Sequence, residues 1–292
     1  MKYDIIFSVA AHESEESLID LIENVRKFVP NSLIVIHLKK GFKIRKIKET
    51  YKNVYFNPNT YDTGYLDQSL TIAHSSNIYY LIEKNIDADY FAILGSNELF
   101  VRKGLYEYIK DKYFIAYQTD EKDYHIQVAK KDKHLNTLLT KIDGKIIKSP
   151  PEGTFYKFAI LKEKLRNPYI EEYLNELTCY FTSKNKITFR KISNKIARLI
   201  LHITPKLKIT IPSNIIRFSY ASEEIFFPTI MQSPTSIRDN SYCYIKWHDN
   251  LNIDIDDIVN VNNGVHVGKY SVKRIERNIL DPKRIWIKNE IN

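Results

Sequence analysis

The sequence predicts an α/β protein in which a parallel, Rossmann-like sheet is covered by helices on both faces. Strand-like and helix-like segments alternate along its N-terminal third, and the strand-like segments are apolar throughout. Strands of that kind are typical of parallel sheets that are buried on both sides. The chain has 292 residues, 43% of them hydrophobic, which is enough to bury a large core. We therefore expect a single large domain spanning 1–292, with a nucleotide-binding half at 1–110 and a second half at 111–292.

Each element of the N-terminal half is predicted from its pattern. Residues 4–10 (DIIFSVA) form a continuous apolar run, which indicates a buried strand. Residues 14–28 begin with a serine cap and carry apolar residues at helical spacing, which indicates an amphipathic helix. The same criteria predict further strands at 32–38, 53–58 and 90–96, a short basic helix at 43–50 and a long helix at about 66–84.

The C-terminal half is less regular. Residues 112–160 predict short strand-like pieces and a loop, KSPPEGT. Residues 184–209 are basic and amphipathic, and they suit either a core-packed helix or a helix that docks on anionic lipid. Ser222 is placed to cap a helix that begins SEEIFF, and Pro228 should distort that helix because it removes a backbone donor.

Charge and cysteine content narrow the class of protein. The net charge of +9 favours anionic partners such as nucleic acid, acidic membrane surfaces or phosphate-bearing small molecules. The two cysteines form neither a metal-type spacing nor a disulfide framework, which favours a reducing cytoplasm. The N-terminal apolar run is interpreted as a buried strand rather than a signal peptide, and no segment approaches the ~20 apolar residues of a membrane span.

The first strand is not followed by a glycine-rich phosphate motif. Neither GxGxxG nor GxxxxGK[ST] occurs, so hydride transfer on a dinucleotide and P-loop chemistry both lose support. Ligands of Rossmann-like sheets sit at the carboxyl ends of the strands. The candidate positions there are AHES at 11–14, HLKK at 37–40 and GSNELF at 95–100, although His12 and His37 each also suit a structural role.

Four segments carry a resemblance to a known family. They are SVAAHESEESLIDLI near the N-terminus, ADYFAILGSNELFVRKGLYEYI at 88–109, SEEIFFPTIMQSPTSIRDNSYCYIKW at 222–247 and GVHVGKYSVKRIERNI at 264–279. In this order they resemble the core-2/I-branching N-acetylglucosaminyltransferase family, to whose superfamily the peptide xylosyltransferases belong. The resemblance covers roughly 1–110 and 218–280.

The resemblance implies a GT-A-like fold and an inverting transfer of a sugar from a UDP-sugar to a hydroxyl. N-acetylglucosamine is the favoured sugar. It also implies that no divalent metal and no other cofactor is used. The turn that holds a metal in most GT-A enzymes has two acids, whereas here it is Ser96-Asn97-Glu98, with one. A single carboxylate is a poor anchor for Mg²⁺ or Mn²⁺.

The resemblance also assigns roles to residues. Lys269 aligns with a motif lysine that neutralises the leaving diphosphate, and Lys246 aligns with a second family cation. Arg274 and Lys273 are alternative candidates for that second cation. Aligning on the aromatic pair puts Glu224 in the position of the family's acidic residue, which acts as the general base. Glu223 should then point elsewhere and serve as a charge in the first helical turn.

The remaining positions concern the donor and the acceptor. His12, His37, Asn97 and Glu98 are expected on the donor side. Trp247 is expected on the acceptor side. The family's Gly-Ser-x-Trp segment has no counterpart, so the acceptor stays open.

These observations lead to a specific hypothesis. The protein is expected to be a cytoplasmic glycosyltransferase of capsule or lipopolysaccharide synthesis, with a glycan or lipid-linked glycan as acceptor and no nucleic acid as partner. The segment 184–209 is expected to bring it to the inner face of the plasma membrane. One alternative is a non-catalytic basic module that binds anionic membrane or nucleic acid. Another is a sugar-nucleotide enzyme of a different reaction type.

Overall fold

A mixed five-stranded sheet organises the protein. The computed structural model describes residues 2–47, 51–64, 67–113, 122–182, 220–232, 241–246 and 252–291. Over these residues the strand order is β3-β2-β1-β4-β6, with β6 antiparallel to β4 and the other neighbours parallel. The strands are β1 (Lys2–Ala11), β2 (Ser32–Leu38), β3 (Val54–Asn57), β4 (Asp87–Ile93) and β6 (Phe155–Lys157). The predicted α/β class is confirmed, and the sheet is compatible with a Rossmann-like fold.

A second, three-stranded sheet joins the C-terminal part of the chain to the end of β4. Its order is β5-β8-β7, with β5 (Glu98–Phe100), β7 (Cys243–Tyr244) and β8 (Ser271–Lys273). Only a short turn separates β4 from β5, so β8 is held close to the carboxyl end of the main sheet.

Helices cover both faces of the main sheet. The alternation of side chains in β1 is visible in the core: Ile6 packs in one hydrophobic cluster, and Ile5 and Phe7 pack in the other. The predicted burial on both faces is therefore confirmed. The helices are α1 (Glu15–Phe28), α2 (Ser69–Glu83), α3 (Leu105–Ile109), α4 (Tyr124–Ala129), α5 (Lys133–Lys141), α6 (Phe158–Leu165), α7 (Pro168–Thr182), α8 (Glu223–Ile230), α9 (Ile255–Asn262) and α10 (Pro282–Glu290).

Local capping explains where the sequence predictions hold and where they fail. Ser14 caps α1 as predicted, by accepting the N–H of Ser17. The basic helix predicted at 43–50 is absent from 43–47. There the Glu15 carboxylate accepts the backbone N–H groups of Arg45, Lys46 and Ile47, which holds the segment in a turn. Residues 48–50 lie outside the described residues.

The stretch at 112–160 is more helical than the sequence predicts. Asp123 and Asp132 each accept two backbone N–H groups and so begin α4 and α5. The segment 148–154 is a loop, as predicted.

The start of α8 also differs from the prediction. The Ser222 side chain makes no cap bond, because its hydroxyl bonds Thr71 Oγ1 at 2.5 Å. The helix continues through Pro228, and the carbonyl oxygen of Glu224, which Pro228 cannot bond, accepts the N–H of Ser149 at 2.9 Å. Because of Pro228, the Glu224 carbonyl oxygen of α8 is free to accept a hydrogen bond from the loop 148–154.

The described helices give no evidence of a membrane span. None of them is both long and apolar enough to cross a bilayer. The basic segment 184–209, for which membrane docking is one interpretation, lies outside the described residues.

Candidate functional site

A cavity of about 140 Å³ lies at the carboxyl ends of β1 and β4. The chain leaves β1 towards β2 on one side, whereas β4 lies on the other side. In open α/β sheets, ligands bind at such a switch point. The ionisable residues that line the cavity are His12, Glu13, His74, Glu152, Glu223, Lys273 and Arg277.

The floor of the cavity is the turn after β4. Gly95, Ser96 and Asn97 line it, and Lys273 at the end of β8 lies against the turn. A Cβ atom on Gly95 would lie 3.0 Å from Lys273 Nζ, so the absence of a side chain at Gly95 leaves room for the lysine ammonium. The position of the Lys273 ammonium against this turn thus depends on a residue without a side chain.

Two cations of the cavity are each paired with a carboxylate. Lys273 forms an ion pair with Glu152. Arg277 Nε lies 2.6 Å from Glu13 Oε1 and 3.2 Å from the Ser96 hydroxyl. Burial lowers the pKa of Lys273, but Glu152 and Glu98 raise it by more, and the pKa lies above its ordinary value. Lys273 is therefore charged in the neutral pH range.

Glu223 contributes a buried carboxylate to the cavity wall. Its relative exposure is 7%, and its Oε2 atom has no hydrogen-bond partner within the described part of the chain. Burial, and then the charge of Glu224, raise the pKa of Glu223 well above its ordinary value. Such a carboxylate is a strong proton acceptor once it is ionised.

Glu224 lies beside the cavity lining rather than in it. Its carboxylate is 3.5 Å from Lys148 Nζ, which also lies 2.6 Å from Asp123. Burial raises the pKa of Glu224 to about 7, although Lys148 opposes the shift. Glu223 thus lies in the first turn of α8, as expected, but it also lines this cavity, whereas Glu224 does not; the catalytic role of Glu224 stays a prediction.

Glu98 is buried behind Lys273. It faces Lys273 across the β5–β8 pair, and its carboxylate accepts the Ser271 hydroxyl at 2.6 Å. Burial raises the pKa of Glu98 to about 7. Glu98 does not line the cavity, so any effect on a ligand there passes through Lys273.

The other predicted cations are engaged elsewhere. Lys269 Nζ donates to the carbonyl oxygens of Ser241 and Cys243, at 2.5 and 3.0 Å. Lys246 pairs with two carboxylates of the α9 capping box, those of Asp254 and Asp257.

Neither Lys269 nor Lys246 lines the cavity, and the same is true of Arg274, whose backbone has a positive φ of 71°. Of the cations that the sequence suggested, the substitute Lys273 is the one that does.

The predicted histidines divide between the cavity and the core. His12 lines the cavity, as does Asn97. His37 is fully buried, its Nε2 atom accepts the N–H of Tyr61 at 2.8 Å, and burial lowers its pKa to about 4. The structure thus gives His37 a structural role. Trp247, predicted on the acceptor side, lies outside the described residues.

Sequence reasoning gave no role to Glu13, Glu152 or Arg277. Glu13 lies in the candidate segment 11–14 at the end of β1, but His12 was the residue of that segment to which a role was assigned. Arg277 follows Lys273 by four residues in a segment already singled out. Glu152 gave no such indication, because its partner Lys273 is 121 residues away in the sequence.

Metal ligands do not cluster in the described part of the chain. Over those residues, no group of three or more His, Cys, Asp or Glu side chains has an arrangement that could hold a metal ion. The cations that face the cavity are those of side chains, Lys273 and Arg277.

Comparison with known proteins assigns no relative. No protein-family profile matches the sequence, and none of the curated proteins compared with it is significantly similar. The resemblance to the branching transferases therefore rests on the four segments quoted above. A function has to be argued from the cavity itself.

Proposed function

We propose that the protein is an inverting, metal-independent glycosyltransferase that moves a sugar from a UDP-sugar to a hydroxyl of a bacterial surface glycan. One observation carries the proposal. At the switch point of a Rossmann-like sheet, a single cavity combines two cations, Lys273 and Arg277, with Glu223, a buried carboxylate with an oxygen that no described residue bonds. An inverting transfer without a metal uses both kinds of group.

The two cations suit the leaving diphosphate. As the bond between the anomeric carbon and the diphosphate oxygen breaks, that oxygen takes the electron pair and gains negative charge. Fixed cations in a partly dry site stabilise this charge strongly. Arg277 can bond phosphate oxygens through a planar fork, whereas Lys273 acts as a point charge.

Glu223 suits the role of general base. The acceptor oxygen forms its new bond to the anomeric carbon while a base takes the hydroxyl proton. Glu223 lines the cavity, and its buried Oε2 atom, which has no hydrogen-bond partner among the described residues, has lone pairs free for that proton. Glu224, the residue indicated by the family resemblance, is the second candidate.

The same arrangement supports the proposed independence from metal. Glu98, the single acid of the turn that resembles a metal-binding turn, is buried against Ser271 and Lys273. It supports the cation of the cavity instead of facing the ligand. N-acetylglucosamine as the donor sugar rests on the family resemblance alone.

The cellular setting is part of the proposal. A cytoplasmic enzyme that acts on a lipid-linked glycan would work at the inner face of the plasma membrane. The basic segment 184–209 is the part of the chain that suits anionic head groups.

A panel of melting shifts tests the proposed function. UDP, UDP-sugars, uridine and other nucleotides are added separately, each with EDTA and with Mn²⁺. A ligand that binds the folded state raises the melting temperature. We expect UDP and one UDP-sugar to stabilise the protein in EDTA. Stabilisation by UDP solely in the presence of Mn²⁺ would contradict metal independence.

The net charge of +9 favours a second candidate, a non-catalytic module that binds a polyanion. Such binding weakens steeply as salt rises, because it releases counterions. Salt-sensitive binding to DNA or anionic vesicles, with no effect of any nucleotide on melting, would favour this candidate over the transferase.

A further inference from the structure

We propose that Glu152 occupies the place of an anionic ligand in the cavity and has to leave Lys273 before a diphosphate can bind. The inference rests on the proposed function in one respect, namely that the cavity takes a diphosphate. It assigns to Glu152 a role in regulating and selecting that ligand. No transfer of sugar is needed to test it.

The geometry places a carboxylate where a phosphate oxygen would go. Glu152 and Lys273 both line the cavity and form an ion pair, and their side chains are 16% and 17% exposed. Glu98, the residue paired with Lys273 across β5 and β8, also attracts the ammonium. Of these two carboxylates, Glu152 is the one that lines the cavity.

The charges of the cavity do not favour an anion while Glu152 is in place. Each of its two cations is already paired with a carboxylate that lines the cavity, Lys273 with Glu152 and Arg277 with Glu13. A phosphate that approaches Lys273 meets the Glu152 carboxylate at short range, where repulsion between like charges is strong. Removal of Glu152 from the ion pair is what makes this part of the cavity cationic.

The backbone around Glu152 is held on both sides. Ser149 donates its N–H to the carbonyl oxygen of Glu224, and Glu152 itself bridges to Ile93 at the end of β4. Gly153 has a φ of +71°, and a Cβ on it would lie 2.4 Å from the backbone nitrogen of Cys243. Glu152 therefore leaves by rotation of its side chain, without an opening of the loop.

The second ion pair of the cavity is a weaker obstacle. Arg277 has a side chain that is 46% exposed, and solvent and salt screen its attraction to Glu13. The carboxylates of the two pairs are equally exposed, at 16%, and the difference lies in the cation, since Lys273 is 17% exposed. Glu13→Gln is consequently a matched control for Glu152→Gln, because it removes the same charge from the same cavity at a more solvated pair.

Competition with Glu152 selects ligands by charge. A single phosphate group that displaces the Glu152 carboxylate gains the contact with Lys273, whereas a diphosphate can contact Lys273 and Arg277 together. Loss of the Glu152 charge should therefore tighten the binding of all phosphate ligands and narrow the preference for pyrophosphate over inorganic phosphate.

The experiment is calorimetric titration of inorganic pyrophosphate and inorganic phosphate in EDTA. The proteins are the wild type, Glu152→Gln, Glu152→Ala and Glu13→Gln. We expect both Glu152 variants to bind pyrophosphate about tenfold more tightly than the wild type. Glu13→Gln should change affinity by less than about threefold. Two Glu152 variants guard against a single poorly folded protein, and melting curves check the fold of each.

Equal or weaker pyrophosphate binding by folded Glu152 variants would overturn the inference, because Glu152 would then hold Lys273 in its binding position. Absence of pyrophosphate binding in every protein would overturn it too. Tighter binding by the variants together with no transfer from any UDP-sugar would leave the inference standing and contradict the proposed function.

Discussion

The backbone N–H of Ser149 donates to the carbonyl oxygen of Glu224 at 2.9 Å. That carbonyl is available because Pro228, four residues later, has no N–H to bond it within α8. The bond fixes the loop 148–154 to α8. As a result Glu152 of the loop and Glu223 of the helix line the same cavity, while Glu224 is directed to Lys148.

The two adjacent glutamates should therefore have different roles. We expect Glu223→Gln to lower the rate of sugar transfer by ~10² to 10⁴, the usual cost of losing a general base, with UDP affinity near that of the wild type. Glu224→Gln should lower the rate by less than about tenfold. Initial rates and UDP titrations with both variants check this. A larger loss of rate in Glu224→Gln than in Glu223→Gln would instead assign the general base to Glu224, the residue that the family resemblance indicates.

Replacement of Gly95 should weaken diphosphate binding without changing the stability of the fold. A methyl group at this position would lie 3.0 Å from Lys273 Nζ and 3.3 Å from Asn97 Oδ1, both ends of flexible side chains. We expect Gly95→Ala to move Lys273 and to weaken UDP binding by about tenfold, or about 1.4 kcal/mol. Uridine affinity and melting temperature should stay near the wild-type values. An equal loss for uridine and UDP would show that the effect is not on the phosphates.

Gly153 should matter for the fold. Gly153 has a positive φ, and its contact with Cys243 leaves no space for a side chain. Gly41 has φ +88°, and among the described residues no atom apart from its chain neighbours lies within 4 Å of a Cβ position. In both alanine variants the new residue has to adopt the left-handed backbone conformation, which costs about 1–2 kcal/mol. Gly153→Ala adds a clash with backbone, so we expect it to lower the free energy of unfolding by at least ~2 kcal/mol more than Gly41→Ala. Urea unfolding compares them, and equal losses would refute the clash.

Glu98 should make stability depend on pH. Burial raises its pKa from 4.5 to about 7, so the folded state binds its proton more tightly than the unfolded state does. This contribution to stability is present below the unfolded pKa and is lost as pH rises through the folded pKa, by about 3 kcal/mol in total. Glu98→Gln should remove it.

Buried histidines oppose this effect below neutral pH. Burial lowers the pKa of His37 to about 4 and that of His74 to about 3, so their contributions to stability increase as pH rises towards 6.5. The comparison of wild type and Glu98→Gln at pH 5 and pH 8 isolates Glu98. We expect the free energy of unfolding to fall more for the wild type than for the variant between these two values. Identical changes in both proteins would contradict the assignment.

Local sequence patterns were sufficient for the N-terminal elements. The apolar run of β1 and the serine cap of α1 depend on residues that are close in sequence, and both were found where predicted. The positions of His12 and Asn97 at the cavity follow from the same reasoning, because each comes soon after a strand of the sheet. The turn at 43–47 was missed, since it depends on the distant Glu15 carboxylate.

Contacts between distant segments decide the rest of the site. The choice of Lys273 over Lys269 depends on the pairing of β8 with β5, which puts Lys273 opposite Glu98. Two lysines lie four residues apart in this segment, at 269 and 273, so the motif alone did not fix the alignment. The orientation of Glu223 depends on the attachment of α8 to the loop 148–154.

The most direct test of the central claim is a titration of UDP and uridine in EDTA, by calorimetry, with wild type, Lys273→Met and Lys269→Met. If the cavity at the ends of β1 and β4 holds the diphosphate, the wild type binds UDP more tightly than uridine. Lys273→Met should then lose about 100-fold in UDP affinity with little change for uridine. Lys269→Met, which loses a cation bonded to backbone carbonyls, should keep the preference for UDP. Full UDP affinity in folded Lys273→Met would contradict the account.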